Sequence, residues 1–262
     1  MNGVPPAIAG DFFVVAHEPG AEHPALPTWA NHGPNPAELA PARASAAERV
    51  DIDDVPGAFQ LLNVLDAREC QALIRLTEAC GYLPDAAVSL PRAIRHNDNM
   101  TWVVDEMTAH ILWQRCAHAV NQAPALFQGR RAVGLNARFR FYRYATGDYF
   151  APHTDGAWPG SKVVEGKLVT DAYGDRWSQL SFVLFLNDAY VGGSTGFYVS
   201  AADPTRPARK GEAAVEVSIR TPTGAALCFP HGLHPLHCLH RSQSIVSGTK
   251  YIMRTDVLVE TG

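Results

Sequence analysis

Two histidines and an aspartate are the residues here whose types and spacing can do chemistry. His153-Thr154-Asp155 closes the stretch RFYRYATGDYFAPHTDG, Arg140 to Gly156, which reads as a strand running into a turn. On an extended backbone, residues two apart point to the same side, so this imidazole and carboxylate can grip one metal ion together. Far along the chain, HRSQSIVSGTKYIMRTDV, His240 to Val257, offers a further imidazole followed by a second alternating strand. Two His and one carboxylate make a facial triad suited to non-haem Fe(II), with three coordination positions left open. A His-x-Asp tripeptide alone is a weak signal. Its setting raises it, because Tyr144 and Gly147 precede it, Pro152 adjoins it and Gly156 follows, as at a cavity rim.

The third ligand has to be chosen, since His231, His234, His237 and His240 recur every three residues around Cys228 and Cys238. The two cysteines are separated by nine residues and no CxxC is present, which does not match a structural zinc site. His240 is preferred because it stands ten residues before Lys250, at the head of a strand whose Lys250, Ile252, Arg254 and Asp256 share one face. Cations on an inward face need a buried anion, either a dicarboxylate co-substrate or, for Arg254, the nearby Asp256. In ARFRFYRY, Arg138, Arg140, Tyr142 and Tyr144 share one face while Phe139 and Phe141 take the other. A polar inner face implies a ligand cavity, with Tyr144 placed to donate its hydroxyl to a carboxylate and Arg140 to meet an acidic part of a substrate.

The elements that must hold these groups are mainly β. FQLLNVL from Phe59 leads into DARECQALIRLTEACG, a helix opened by an Asp66/Glu69 capping box and stopped by Gly81. Asp105 opens a second amphipathic helix with Met107, Ile111, Leu112 and Cys116 at helical spacing. From Gly134 onward the runs ARFRFYRY, SQLSFVLFLND, TGFYVS, EAAVEVSIR, GAALCFP and TKYIMRTDVLV are short, alternating and bounded by turn residues. Helices before a run of strands predict a jelly roll buttressed on one side by the N-terminal helices. Residues 1–55 hold eight of the nineteen prolines in their first fifty positions and read as an irregular arm; residues 56–262 read as the folded domain. The segment 157–178 is longer than a jelly roll requires and can fold as a hairpin over the site, while ADPTRPARKGE from Ala202 reads as a polar turn.

Composition bounds the rest. With 262 residues, 47% hydrophobic, the chain can bury a full core. A formal net charge of −4, a pI near 6.2 and no basic cluster argue against nucleic acid as a partner. No apolar run spans a membrane and MNGVPPAIAGDFF lacks a secretory signal, so a soluble protein in the cytoplasm is expected. Five cysteines without framework spacing are expected to be free thiols. Nothing in the sequence sets an oligomeric state.

The order HTD, SQLSFVLFLND, GGSTGFY, GAALCFPHG and HRSQSIVSGTKYIMRTDV resembles the 2-oxoglutarate and Fe(II)-dependent oxygenases of the prolyl 4-hydroxylase type, over about Phe59 to Val259. The resemblance implies a double-stranded β-helix with iron held by His153, Asp155 and His240. It also implies Lys250 on the distal carboxylate of 2-oxoglutarate, Tyr144 and Thr195 hydrogen-bonding the same co-substrate, and Val183 and Phe185 lining the cavity. The implied reaction uses dioxygen, with ascorbate in support, and hydroxylates an unactivated C–H bond while releasing succinate and carbon dioxide. A small molecule or free amino acid is the expected substrate, ahead of a prolyl peptide; a metal-binding jelly roll without activity is the alternative of another class. Where this family often reads GGET and HEG, the chain has Gly192-Gly193-Ser194-Thr195 and His240-Arg241-Ser242.

Overall fold

The computed structural model describes residues 10–42, 46–86 and 90–261. Helix α1 spans Ala67–Cys80, with the Asp66 side chain accepting from the Glu69 N–H and Glu69 reaching back to the Asp66 N–H. Such a cap is worth about 1 kcal/mol. Helix α2 spans Glu106–Val120 behind the N-cap Asp105. Apart from a short 3-10 helix, Pro124–Phe127, the rest of the regular structure is β: a ten-stranded sheet, a five-stranded sheet and two two-stranded sheets.

The long C-terminal strand Lys250–Glu260 lies at the centre of the larger sheet, antiparallel to Arg138–Tyr144 on one side and to Arg176–Phe185 on the other. Its alternation sorts the molecule into two cores. Met253, Val257 and Val259 join Phe139, Phe141, Phe182 and Leu184, together with Cys70 and Leu73 of α1 and Ile111, Leu112 and Cys116 of α2. Ile252 faces the other way and joins Tyr142, Tyr144, Val183, Phe185, Phe197 and Phe229. The smaller sheet runs Ala214–Ile219, Thr195–Ser200, His240–Ser242, Tyr149–His153, Arg95–His96. The inner face of the larger sheet and the strands of the smaller one therefore enclose the second core.

Two expectations need correcting. The stretch 1–55 is not irregular where it is described. Phe12–Glu18 and Leu26–Asn31 pair antiparallel, the second of them adds in parallel to Asp98–Val103, and Glu48–Asp51 pairs with Phe59–Leu62. Leu26, Thr28 and Ala30 are buried in alternation, but Pro24 and Pro27 masked that pattern in the sequence. The segment 157–178 does form a hairpin, Lys162–Val164 against Lys167–Val169. It does not cover the triad, because Val163 and Leu168 pack on the helix-side core and Lys162 pairs with Glu106 of α2.

Among the described residues no helix is long and apolar enough to cross a membrane. All five cysteines are buried, and none is in a disulfide. Burial pushes the thiols of Cys80, Cys116 and Cys238 up to about 12, so they are not thiolates near neutrality.

Candidate metal centre

His153 and His240 face each other across paired strands of the smaller sheet, and Asp155 follows His153 by two residues. The three offer one ligand atom each, all within 4.8 Å of one another, and no other such His/Cys/Asp/Glu group is found among the described residues. Each histidine Nδ1 sits against a backbone carbonyl, His153 with Ala151 at 2.8 Å and His240 with Cys238 at 3.1 Å. Donating there fixes the tautomer and leaves both Nε2 lone pairs free for a metal. Those Nε2 atoms stand 3.7 Å from the two Asp155 oxygens. Phe150 stacks on His153 at 3.6 Å and Phe229 lies 4.5 Å from His240, which restrains both rings. Two neutral imidazoles and one carboxylate on one side of a cavity fit a divalent first-row metal.

Asp155 is held from behind. It accepts from the Ser181 hydroxyl at 2.5 Å and lies 3.2 Å from Arg254 Nε. Burial is the largest single influence and would raise its pKa, but the Arg254 guanidinium together with His240, His153 and His231 outweighs it and keeps the carboxyl ionised well below the usual range. Ser181 in turn accepts from His231 Nδ1 at 2.9 Å, and His231 Nε2 accepts from Ser178 at the same distance. His231 is thus an outer partner and no ligand. His234 sits against the Leu126 carbonyl and His237 beside Arg209. Of that histidine run only His240 joins the triad, and among the described residues His231, His234, His237, Cys228 and Cys238 form no second donor group.

The co-substrate side is equally specific. Lys250 is 1% exposed, and its Nζ donates to the Gly193 carbonyl at 2.7 Å and to Ser242 Oγ at 3.1 Å. No carboxylate pairs with it among the described residues. Burial, helped by repulsion from Arg220, brings its pKa down to about 7. Gly193 has φ 65°, and a Cβ there would strike Ile245 and crowd the Lys250 stem, so only glycine lets this carbonyl face the ammonium. Tyr144, Thr195, Val183 and Arg254 line the same cavity as Lys250 and the triad. Phe185 lies 5.2 Å from Lys250 Nζ as a packing partner and is not part of the lining. Arg254, a candidate for either substrate or Asp256, makes the Asp256 pair at 2.9 Å and is also committed to Asp155, which leaves it no part in holding substrate. A larger cleft of 810 Å³ beside Met107, Trp113 and Lys162 holds none of this chemistry.

A pH prediction follows from the buried bases. Burial, then the facing His240, bring His153 down to about 3, and burial lowers His240, His231 and His234 as well. In the unfolded chain each takes up a proton below about 6.5. The unfolded state then binds more protons than the folded one, so stability falls as pH drops through that value, by up to ~1.4 kcal/mol per pH unit for each imidazole. Lys250, lowered to about 7, adds to the rise above neutrality, but the buried thiols of Cys80, Cys116 and Cys238, pushed up to about 12, oppose it once unfolded thiols ionise at about 8.5. Urea midpoints of the metal-free protein are expected to climb from pH 5 to about 7 and to turn down toward pH 9; a stability maximum below pH 6 would contradict the assignment of neutral buried histidines.

No protein-family model matches the chain, and no curated protein matches it. Solved structures do. A prolyl hydroxylase from Trichoplax adhaerens, in complex with a hypoxia inducible factor oxygen degradation domain peptide fragment, is similar with TM-score 0.50 at 14% identity, over 78% of this chain and 83% of that one. The chain has the prolyl hydroxylase fold. A Pseudomonas putida prolyl-4-hydroxylase has TM-score 0.49 at 18% identity, over 77% of this chain and 92% of that one. A viral collagen prolyl hydroxylase from Paramecium Bursaria Chlorella virus-1, in its 2OG complex, has TM-score 0.49 at 16% identity, over 80% and 99%. Likeness at such identities concerns the fold, and activity has to be argued from the side chains.

Within this prolyl hydroxylase fold, the chain's departures have visible roles. Ser242 touches the Lys250 ammonium, and Arg241 pairs with Glu216 at 2.8 Å on the neighbouring surface. The roles of Ser181 and His231 were missed by sequence reasoning. Ser181 was findable, since it shares strand parity with Val183 and Phe185; His231 was marked as one of the histidine run, but nothing local showed its role behind Ser181.

Proposed function

We propose that this chain is an Fe(II)- and 2-oxoglutarate-dependent dioxygenase that hydroxylates an unactivated C–H bond of a small molecule, free amino acids included. The observation that carries this reading is a three-donor metal face sharing one cavity with a buried ammonium that has no carboxylate of its own. His153, Asp155 and His240 hold the iron. Lys250 takes the distal carboxylate of 2-oxoglutarate, and Tyr144, whose hydroxyl lies beside Asn97 and Ser242, and Thr195 add hydrogen bonds to it. The chemistry supplied by the bound iron and keto acid is dioxygen activation: one oxygen atom enters the substrate C–H bond, the other enters succinate, and carbon dioxide leaves; ascorbate keeps the metal ferrous. The protein's own part is orientation and exclusion of water, with Ser181 and Arg254 fixing the carboxylate ligand.

Anaerobic titration of the Fe(II)-loaded protein with 2-oxoglutarate tests this. A saturating metal-to-ligand charge-transfer band is the expected result. If folded, iron-loaded protein gives no band, the non-catalytic metal-binding reading takes its place. Succinate release then separates small acids from prolyl peptides as substrates.

A further inference from the structure

A second unmatched cation lies beside the triad. Arg140 stands directly opposite Arg254 in neighbouring antiparallel strands, and residues so paired share a face. It is 6% exposed. Among the described residues its guanidinium makes no hydrogen bond: Nε and Nη1 are buried without a partner, and the carboxylate within ion-pair range, Asp256, is 4.0 Å away. Asp256 already accepts from Arg254, and the neighbouring Arg138 has its own partner in Glu18 at 2.6 Å. Once a metal takes up the charge of Asp155, the cluster of three guanidiniums keeps only Glu18 and Asp256 against it. A buried unpaired charge is costly, so a place where one persists calls for a ligand.

The cavity next to Arg140 fits that demand. It measures 410 Å³ and is lined by Trp158, Pro159 and Trp177, by Asn136 and Arg138, and by Glu18, whose carboxylate is already paired with Arg138. Trp158 and Trp177 are 40% and 44% exposed, although indole rings usually find cover. The Arg140 guanidinium lies 5.5 Å from the Trp158 ring centre. The Trp158 N–H donates to the Ser178 hydroxyl and its carbonyl accepts from the Ser178 N–H, and Asn136 Nδ2 donates to the Pro159 carbonyl at 3.0 Å. The root of the long segment after Asp155 thus forms a rigid aromatic wall, while its hairpin packs elsewhere.

We infer that this cavity is a binding pocket for a small organic acid with an apolar or aromatic body. Arg140 takes its carboxylate through the two-pronged guanidinium fork, and Trp158 and Trp177 receive its body. A carboxylate suits the site better than a phosphate dianion, which would want a second free cation where Arg138 and Arg254 are both paired. Placing the pocket in a reaction rests on the oxygenase reading; binding of the acid does not.

The experiment uses Fe(II)-loaded protein under argon, with 2-oxoglutarate at the level that just saturates the charge-transfer band. Phenylacetate and 4-methylpentanoate are titrated against their neutral amides, followed by tryptophan fluorescence and calorimetry. The acids are expected to bind at least ~30-fold more tightly than the amides. Arg140→Gln should bring the acids to the level of the amides, Arg140→Lys should restore part of the difference, and Trp158→Ala should weaken acid and amide alike. Equal binding of acid and amide, binding of neither, or an unchanged preference in folded Arg140→Gln would overturn the inference. Failure of the oxygenase reading looks different: no charge-transfer band, with the acid-over-amide preference intact. In Lys250→Ala, likewise, the band should weaken and the preference remain.

Discussion

Lys250→Ala is expected to weaken 2-oxoglutarate binding by about 100-fold or more while iron stays bound. The ammonium is fully enclosed, its protein partners are only a carbonyl and a hydroxyl, and it stands where a carboxylate can complete it. Truncation would leave the distal carboxylate buried against the Gly193 carbonyl, which repels it, so the loss includes an unpaired buried charge. The triad is untouched, because Lys250 bonds to none of its members. A pH dependence accompanies this. With a pKa of about 7, Lys250 is mostly neutral in the free protein at pH 8, whereas the bound carboxylate holds it protonated. Binding therefore takes up a proton above pH 7, and affinity is expected to fall up to tenfold per pH unit there. Calorimetry in buffers of different ionisation enthalpy reads that proton directly, and metal analysis reads the iron. An unchanged 2-oxoglutarate requirement in Lys250→Ala, or no proton uptake at pH 8, would remove Lys250 from this role.

What the sequence made legible was whatever depends on period-2 alternation and short spacing. Parity placed Lys250, Ile252, Arg254 and Asp256 on one face and separated Tyr142 and Tyr144 from Phe139 and Phe141, and the two cores obey that division. Spacing placed Asp155 beside His153. Alternation says which face a residue takes and nothing about which strand lies next to it. The Arg254–Asp256 pair was therefore legible within its own strand, whereas the contact of Arg254 with Asp155, ninety-nine residues away, was not. The same limit hid the role of His231, whose contacts with Ser178 and Ser181 span 53 and 50 residues. The N-terminal strands were hidden for a different reason: turn-forming prolines beside them outweighed a short buried alternation at Leu26, Thr28 and Ala30. The hairpin in 157–178 was legible as a hairpin, but its docking on the helix side depends on Val163, Leu168 and Lys162 meeting distant partners.

Asp155→Ala is expected to abolish metal binding and lower turnover by ~1000-fold or more, beyond the ~10- to 100-fold that loss of an outer partner costs a metal site. Asp155 supplies the only anionic donor of the triad, and its charge is held ready by Arg254 against the burial that opposes it. Removing it leaves two imidazoles beside an arginine, a field that repels a divalent cation. The fold should survive, because Arg254 keeps Asp256 at 2.9 Å and Ser181 keeps His231. Circular dichroism, metal content and succinate release together check this. Asp155→Asn, which keeps the size but not the charge, should behave like the alanine variant if charge is what binds the metal. Ser181→Ala removes only the 2.5 Å hydrogen bond behind the carboxylate, so it should retain iron with ~10- to 100-fold lower affinity. The ranking is the test. Were Ser181→Ala as damaging as Asp155→Ala in folded protein, the buried Ser181–His231 chain would have to take part in the chemistry itself; full activity in Asp155→Ala would mean the metal is held elsewhere.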